Sequence, residues 1–358
     1  MMIEDKLFSL LRLAIWGESM KCSVSRDEFS KVLKLAKQQT VFGYAFDGLS
    51  QQNEKYDKQQ VLKGFAVSQK IQRQNEVVNK ELKELVLLFE QRHIDYLIVK
   101  GQTLGVLYPK RHLRMAGDID FLIYREYGEV KDVIEEFFFI KLPERMVEWE
   151  IEFVHGGVPF ELHTTLREWG KKRHNKVWDG LMEKEWNEKY YVEMDGVKVR
   201  TLSPTMNAAY IFIHLFFHFI REGVSLRQLC DWAMVLHYYK DEIDRQALLK
   251  ILSELDVLDA FRTFGTILTD YLGLPKDEFP MTLGDDDRNW QGQLLKDIFG
   301  GGNFGKLHHQ ANNSLRFKIE TMQLAFRNTF RYYRLCPSEI GGMIPRLVKG
   351  NLKILFSC

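Results

Sequence analysis

Val99-Lys100-Gly101-Gln102, followed by Gly117-Asp118-Ile119-Asp120-Phe121-Leu122-Ile123, is the stretch from which the fold is read. Side chains alternate along a β-strand, so Asp118 and Asp120 are predicted on one face of an otherwise apolar run. Like charges at that spacing repel, and burial adds a desolvation cost. A divalent cation gripped by both carboxylates removes the objection, since Mg²⁺ is typically held by one or two carboxylates together with substrate phosphates. Lys100-Gly101-Gln102 follows the apolar run Tyr96-Leu97-Ile98-Val99 and opens a predicted short helix, Gly101 to Tyr108, whose free N–H groups and dipole favour an anion. Gly101 lets a phosphate approach the backbone. Lys100 and Arg114 are candidate charge partners for a triphosphate, with a surface carboxylate as the alternative partner for either.

A third acid would allow a second ion and position an attacking hydroxyl, as in two-metal sites. Glu161, in Pro159-Phe160-Glu161-Leu162-His163, is the first choice because it is a lone carboxylate in a strand-like apolar run. His163 shares its face and is read as structural, holding a strand or orienting an acid. Glu148, Glu150 and Glu152 also alternate, but so many acids together read as the solvated face of a hairpin strand.

Outward from these motifs the periodicity divides the chain into three. Residues 1–93 are expected to be helical, with apolar spacing of three and four at Phe29, Val32, Leu33, Leu35, Ala36 and at Leu82, Leu85, Val86, Phe89; Ser50 to Lys55 reads as a loop. Residues 94–202 are expected to form an α+β core. Its elements are strands at Tyr96–Val99 and Asp118–Tyr124, a helix from Glu126 to Phe137, and hairpins turning at Gly156-Gly157 and Asp195-Gly196. Residues 203–358 are expected to be helical again, from a Ser203 N-cap and Pro204 at the first helical position.

At 358 residues and 45% hydrophobic content the chain can bury a large core. Its 50 Lys and Arg nearly cancel 49 Asp and Glu, so bulk charge recruits neither nucleic acid nor membrane. Cys22, Cys230, Cys336 and Cys358 are scattered, without a C-x-x-C zinc pattern or a disulfide framework, which with the polar, acidic N-terminus suggests the cytoplasm. The apolar stretch Ala208 to Ile220 contains His214 and His218 and falls short of the roughly 20 residues a bilayer needs, so stable membrane insertion is not expected.

Together these residues resemble the poorly characterised bacterial nucleotidyltransferase family, within the superfamily that shares its core with DNA polymerase β. The likeness rests on Lys100-Gly101 after a strand, Arg114 through Gly117-Asp118-Ile119-Asp120, Phe160-Glu161-Leu162-His163, and the helical Leu226-Arg227-Gln228-Leu229-Cys230-Asp231-Trp232, spanning roughly residues 94 to 240. Gln102 stands where the superfamily's turn has serine, and the gap to Asp118 is longer. The resemblance implies a polymerase-β-like α+β core flanked by helical regions. It also implies metal-dependent transfer of a nucleoside monophosphate from an NTP to a hydroxyl-bearing acceptor, with release of pyrophosphate. Asp118, Asp120 and Glu161 would hold Mg²⁺ or Mn²⁺, as two ions, and Lys100, Gly101, Gln102, Arg114 and Gly117 would hold the nucleotide. The acceptor is left open among small molecules, RNA and protein, and is expected in the cleft between the core and the C-terminal helices. The alternative is a catalytically inactive nucleotide- or partner-binding protein of the same fold, for instance in a defence or toxin-antitoxin system. A helical interaction protein with an incidental D-x-D would leave the three carboxylates apart.

Other features have plainer readings. Arg227 and Asp231 are four apart on a helix and read first as an ion pair worth tenths of a kcal/mol, second as substrate contacts or braces of the core. Gly300 to Lys306 lacks the spacing of a phosphate-binding loop and reads as a connector or lid. His214 and His218 read as core histidines for want of a third zinc ligand. From Leu315 to Cys358, eight Lys or Arg face two acids, read as a basic helical face, with RNA, lipid or a phosphorylated acceptor as the sharper alternative.

Overall fold

A computed structural model describes residues 2–19, 23–124, 126–146, 150–167, 169–302 and 314–342. It has an α+β fold that divides into two compact units: Met1–Gly64, Trp169–Trp178 and Pro204–Cys358 form one, and Phe65–Glu168 with Asp179–Ser203 the other. The elements in chain order are α1 (Ile3–Trp16), α2 (Arg26–Gln38), α3 (Phe42–Ser50), α4 (Lys58–Gln91), β1 (Tyr96–Val99), α5 (Gly101–Gly105), β2 (Ile119–Ile123), α6 (Tyr127–Phe138), β3 (Glu150–His155) and β4 (Val158–His163). They continue with α7 (Lys172–Glu188), β5 (Tyr190–Met194), β6 (Val197–Thr201), α8 (Pro204–Arg221), α9 (Leu226–Tyr238), α10 (Arg245–Glu254), α11 (Leu258–Ile267), α12 (Gln291–Gly301) and α13 (Ser314–Arg331).

The second unit is built on a four-stranded mixed sheet of order β1-β2-β4-β3, in which β2 and β4 run parallel and the outer pairs antiparallel. Its strands are short and apolar on one face, where Phe121, Phe160 and Phe153 pack with Phe138 of α6 and Phe89 of α4. Phe153 and Phe160 stack with ring centroids 4.9 Å apart. This apolar layer forces the alternate residues of β2, β4 and β3 to the opposite face. Both expected hairpins are present, and β5 pairs with β6 across Asp195-Gly196. In the first, Gly156 adopts φ +57°, and a Cβ there would lie 2.2 Å from Glu81 Oε1. That carboxylate is pinned by His155 Nδ1 at 2.6 Å, so glycine is what lets the turn close over α4.

The other unit is helical. The expected start of α8 at Pro204 is observed, and nearly every residue from Pro204 to Ile220 is buried, Phe212 and Phe216 packing against Trp232, Phe261 and Phe264. The N-terminal helices join the same body: fully buried Gln39 accepts from Leu226 N–H at 3.1 Å and donates to Ile298 O at 3.3 Å. No helix among the described residues is long and apolar enough to cross a membrane.

Several expectations need correction. Gly300 and Gly301 are the last turn of α12 instead of a loop, while 303–306 lie outside the described residues. His214 and His218 are half-buried and pack on each other, ring centroids 4.2 Å apart, instead of lying in the core. The helix begun at Gly101 stops at Gly105, with single turns continuing to Tyr108. Helix α7 has no counterpart in the sequence reading. Of the basic C-terminal segment, Arg331 pairs with Asp297 at 2.7 Å, Arg327 lies 3.9 Å from the same carboxylate and Phe330 is exposed; residues 343–358 lie outside the described residues.

A candidate metal and phosphate site

Register determines the site. Asp120 pairs with Val99 of β1 on one side and Glu161 of β4 on the other, and Glu161 faces Glu152 of β3; one step along, Leu122, His163 and Glu150 are aligned. All these side chains emerge on the face opposite the phenylalanine layer. Asp120, Glu161 and His163 each offer a ligand atom, and these atoms lie within 4.8 Å of one another. Asp120 is fully buried, His163 nearly so, and Glu161 opens to solvent. Of the predicted triad, then, Asp120 and Glu161 come together, and His163 completes the group. Asp118 sits one residue before β2, half-buried, outside that group but near enough for its charge to act on Glu161.

The turn before α5 completes the arrangement. Lys100 takes φ +58°, ψ −150°, and Gly101 φ +50°, two successive residues in conformations that L side chains avoid. A Cβ on Gly101 would lie 3.1 Å from Asp118 O, so glycine permits the turn to press against the entry of β2. Thr103 Oγ1 donates to Lys100 O at 2.8 Å and ties the turn down. So placed, Lys100 Nζ reaches Asp120 Oδ1 at 2.6 Å, and His163 Nε2 lies 3.1 Å from the same oxygen and 3.6 Å from Glu161 Oε2.

The charges follow from these contacts. Burial alone would raise the Asp120 carboxyl, but the Lys100 ammonium and the His163 hydrogen bond and charge outweigh it and hold the group below the ordinary carboxylate range. Glu161 goes the other way: burial, with the charges of Asp120 and Asp118, pushes it up to about 7 against the opposing His163 hydrogen bond. Burial would lower the His163 imidazole, yet hydrogen bonds to Asp120 and Glu161 raise it to about 9. A group near neutrality beside one held ionised is a common signature of a functional site.

The remaining predicted residues divide. Gln102 is buried and donates to Asn75 Oδ1 at 3.3 Å and to Asn79 Oδ1, both on α4. Arg114 is buried too, its carbonyl accepting from Asn75 Nδ2 at 2.7 Å, and Gly117 is half-buried in the segment leading to β2. Arg227 and Asp231 lie on α9 in the helical unit, Asp231 buried and Arg227 half-buried. Glu150, set aside in the sequence as a solvated acid, has Oε2 3.6 Å from His163 Nδ1, so the imidazole lies between carboxylates at both nitrogens. Glu148, its neighbour in that reading, lies outside the described residues. The signal for Glu150 was its even spacing with Glu152; only the pairing with β4 distinguishes it from a solvated acid.

Two carboxylates and an imidazole with convergent donor atoms suit a divalent cation. A lysine and a glycine turn at its edge suit an anion. The two features adjoin through the contact of Lys100 Nζ with Asp120 Oδ1. A sequence profile of the family described as "uncharacterised nucleotidyltransferase" matches residues 25–273, which takes in the whole site, and the chain belongs to that family. Among curated proteins nothing matches. Among solved structures, an antigenic nucleotidyltransferase-like protein from Paracoccidioides brasiliensis aligns with 60% of this chain and 97% of its own at 11% identity and a TM-score of 0.35.

Proposed function

We propose that this chain is a metal-dependent nucleotidyltransferase of the polymerase-β-like superfamily, moving a nucleoside monophosphate from an NTP to a hydroxyl-bearing acceptor. The observation that carries the reading is the convergence of Asp120, Glu161 and His163 beside the Lys100-Gly101 turn. Asp118, the other half of the D-x-D, lies one residue before β2 and outside that group.

In this reading Asp120 and Glu161 would hold a divalent cation, with His163 as third ligand once metal displaces its proton, and Asp118 would serve a second. When bound, such an ion supplies positive charge to the phosphate oxygens and the departing pyrophosphate. Lys100 and the backbone at Gly101 receive the triphosphate. The acceptor oxygen attacks the α-phosphorus; its bond to phosphorus forms as the bond from that phosphorus to the α,β-bridging oxygen breaks, and pyrophosphate leaves with the electron pair. Glu161, the member of the group that opens to solvent, takes the proton from the acceptor hydroxyl. Glu150 orients the imidazole through Nδ1, as outer carboxylates orient ligand histidines.

A cavity of about 790 Å³ within the same unit offers room for the acceptor. It is lined by Leu122, two residues beyond Asp120, by Thr164, next to His163, and by Tyr124 and Trp186, whose rings lie 4.9 Å apart. The test is incubation of the purified chain with each α-labelled NTP, Mg²⁺ or Mn²⁺, and fractionated cell extract. A labelled acceptor with stoichiometric pyrophosphate supports transfer. Tight metal-dependent nucleotide binding without pyrophosphate from any fraction would assign a binding role instead.

A further inference from the structure

Asp120 Oδ1 is compensated twice, by Lys100 Nζ at 2.6 Å and by His163 Nε2 at 3.1 Å. A carboxylate that serves a divalent cation gains nothing from a fixed ammonium on the same oxygen, because the two cations compete for it. The ammonium is nonetheless built in: its backbone is held at a left-handed φ that L residues rarely adopt, clamped by Thr103 and backed by Gly101. The side chain, 14% exposed, rides on a flexible four-carbon stem that can turn without moving that backbone. The turn it stands on lies against the backbone of Asp118, at the entry of β2.

We propose that Lys100 is a resident counter-cation: it neutralises Asp120 in the empty site and releases it when a divalent cation and a nucleoside triphosphate arrive together, passing to the phosphate oxygens. The inference rests on the functional reading above and adds a rule of entry. Metal alone must displace the ammonium from its 2.6 Å contact and brings no anion to receive it, so it binds weakly. Metal with nucleotide supplies that partner, so the two bind synergistically. The device keeps the carboxylates from collecting a metal in the absence of substrate.

The experiment compares wild type with Lys100→Met, which keeps an unbranched side chain one atom shorter and removes its charge. Titrating Mn²⁺ alone by calorimetry, the variant should bind at least about tenfold more tightly. Titrating ATP at saturating Mn²⁺, it should bind about tenfold more weakly, so that the two effects have opposite sign. A merely structural lysine would weaken both or neither. Equal or weaker Mn²⁺ binding by the folded variant overturns the inference alone, while no Mn²⁺ binding by either protein, with or without ATP, overturns the functional reading as well. Should Lys100→Met fail to fold, the wild-type protein still decides. The ¹⁵Nζ resonance of Lys100, assigned by its loss in Lys100→Arg, should move on adding Mg²⁺ with a non-hydrolysable ATP analogue, and an unmoved resonance under conditions where the analogue binds rejects the idea.

Discussion

Removing the charge of Asp120 strands two cations on one uncharged amide, Lys100 and His163. Asp120→Asn should therefore reduce nucleotidyl transfer by at least about 1,000-fold with the circular dichroism spectrum unchanged, whereas Asp118→Asn, outside the convergent group, should cost nearer tenfold. Undiminished transfer by Asp120→Asn would remove the site from the chemistry. The histidine makes a separate, metal-free prediction. Its folded pKa of about 9 lies above the ordinary 6.5, so its stabilising contribution is complete below pH 6.5 and is lost as pH rises through 9. Glu161, raised from 4.5 to about 7, has the same sign over a lower window. In EDTA, melting temperature should fall steadily from pH 5 to pH 9, and His163→Gln should flatten the upper half of that slope. A wild-type melting temperature that does not change between pH 6.5 and 9 contradicts the contact. At this scale the sequence showed Asp120 and Glu161 because each is a charge isolated among apolar neighbours. It did not show that His163 joins them or that Glu150 stands behind it, since both depend on which strand lies beside which.

Among the elements, the strands and hairpins were legible because glycine turns and period-two runs coincide, as at Gly156-Gly157 and Asp195-Gly196. Helix α7 was not, since its buried residues, among them Trp178, Met182 and Trp186, are spaced among lysines and glutamates that dilute the pattern. The length of α5 was not legible either: nothing local marks Gly105 as its end. The hairpin turn offers a test of how tightly the sheet is held to α4. Gly156→Ala meets the pinned Glu81 carboxylate and a left-handed φ, and should destabilise the protein by about 1–3 kcal/mol in urea unfolding. A change within about 0.5 kcal/mol would mean the turn relaxes freely.

For the molecule as a whole, the helical unit is assembled from three separated lengths of chain, and Gln39 is one of its fastenings. Gln39→Leu leaves Leu226 N–H buried without this acceptor, while Ile298 O keeps Gly302 N–H at 3.0 Å, so the cost is about 1–3 kcal/mol. Hydrogen exchange should show the loss in α1 to α3 and in α9 and α12 alike, while the sheet stays protected. Loss of protection in the sheet first would show that the units do not unfold separately.

The same three-part assembly bears on how the chain is made. Residues 65–203 leave the ribosome as a nearly continuous block and hold the entire sheet, so the cluster of Asp120, Glu161 and His163 can form before the C-terminal helices exist. The first 64 residues, synthesised earlier, have to wait for α9 and α12 before Gln39 finds either partner. At ordinary translation rates of roughly 5–20 residues per second, that wait is on the order of ten to fifty seconds. Over that interval Phe8 lacks the rings of Tyr271 and Phe299, and Trp16 lacks its acceptor at Leu272 O, so α1 carries apolar surface that only the end of the chain covers.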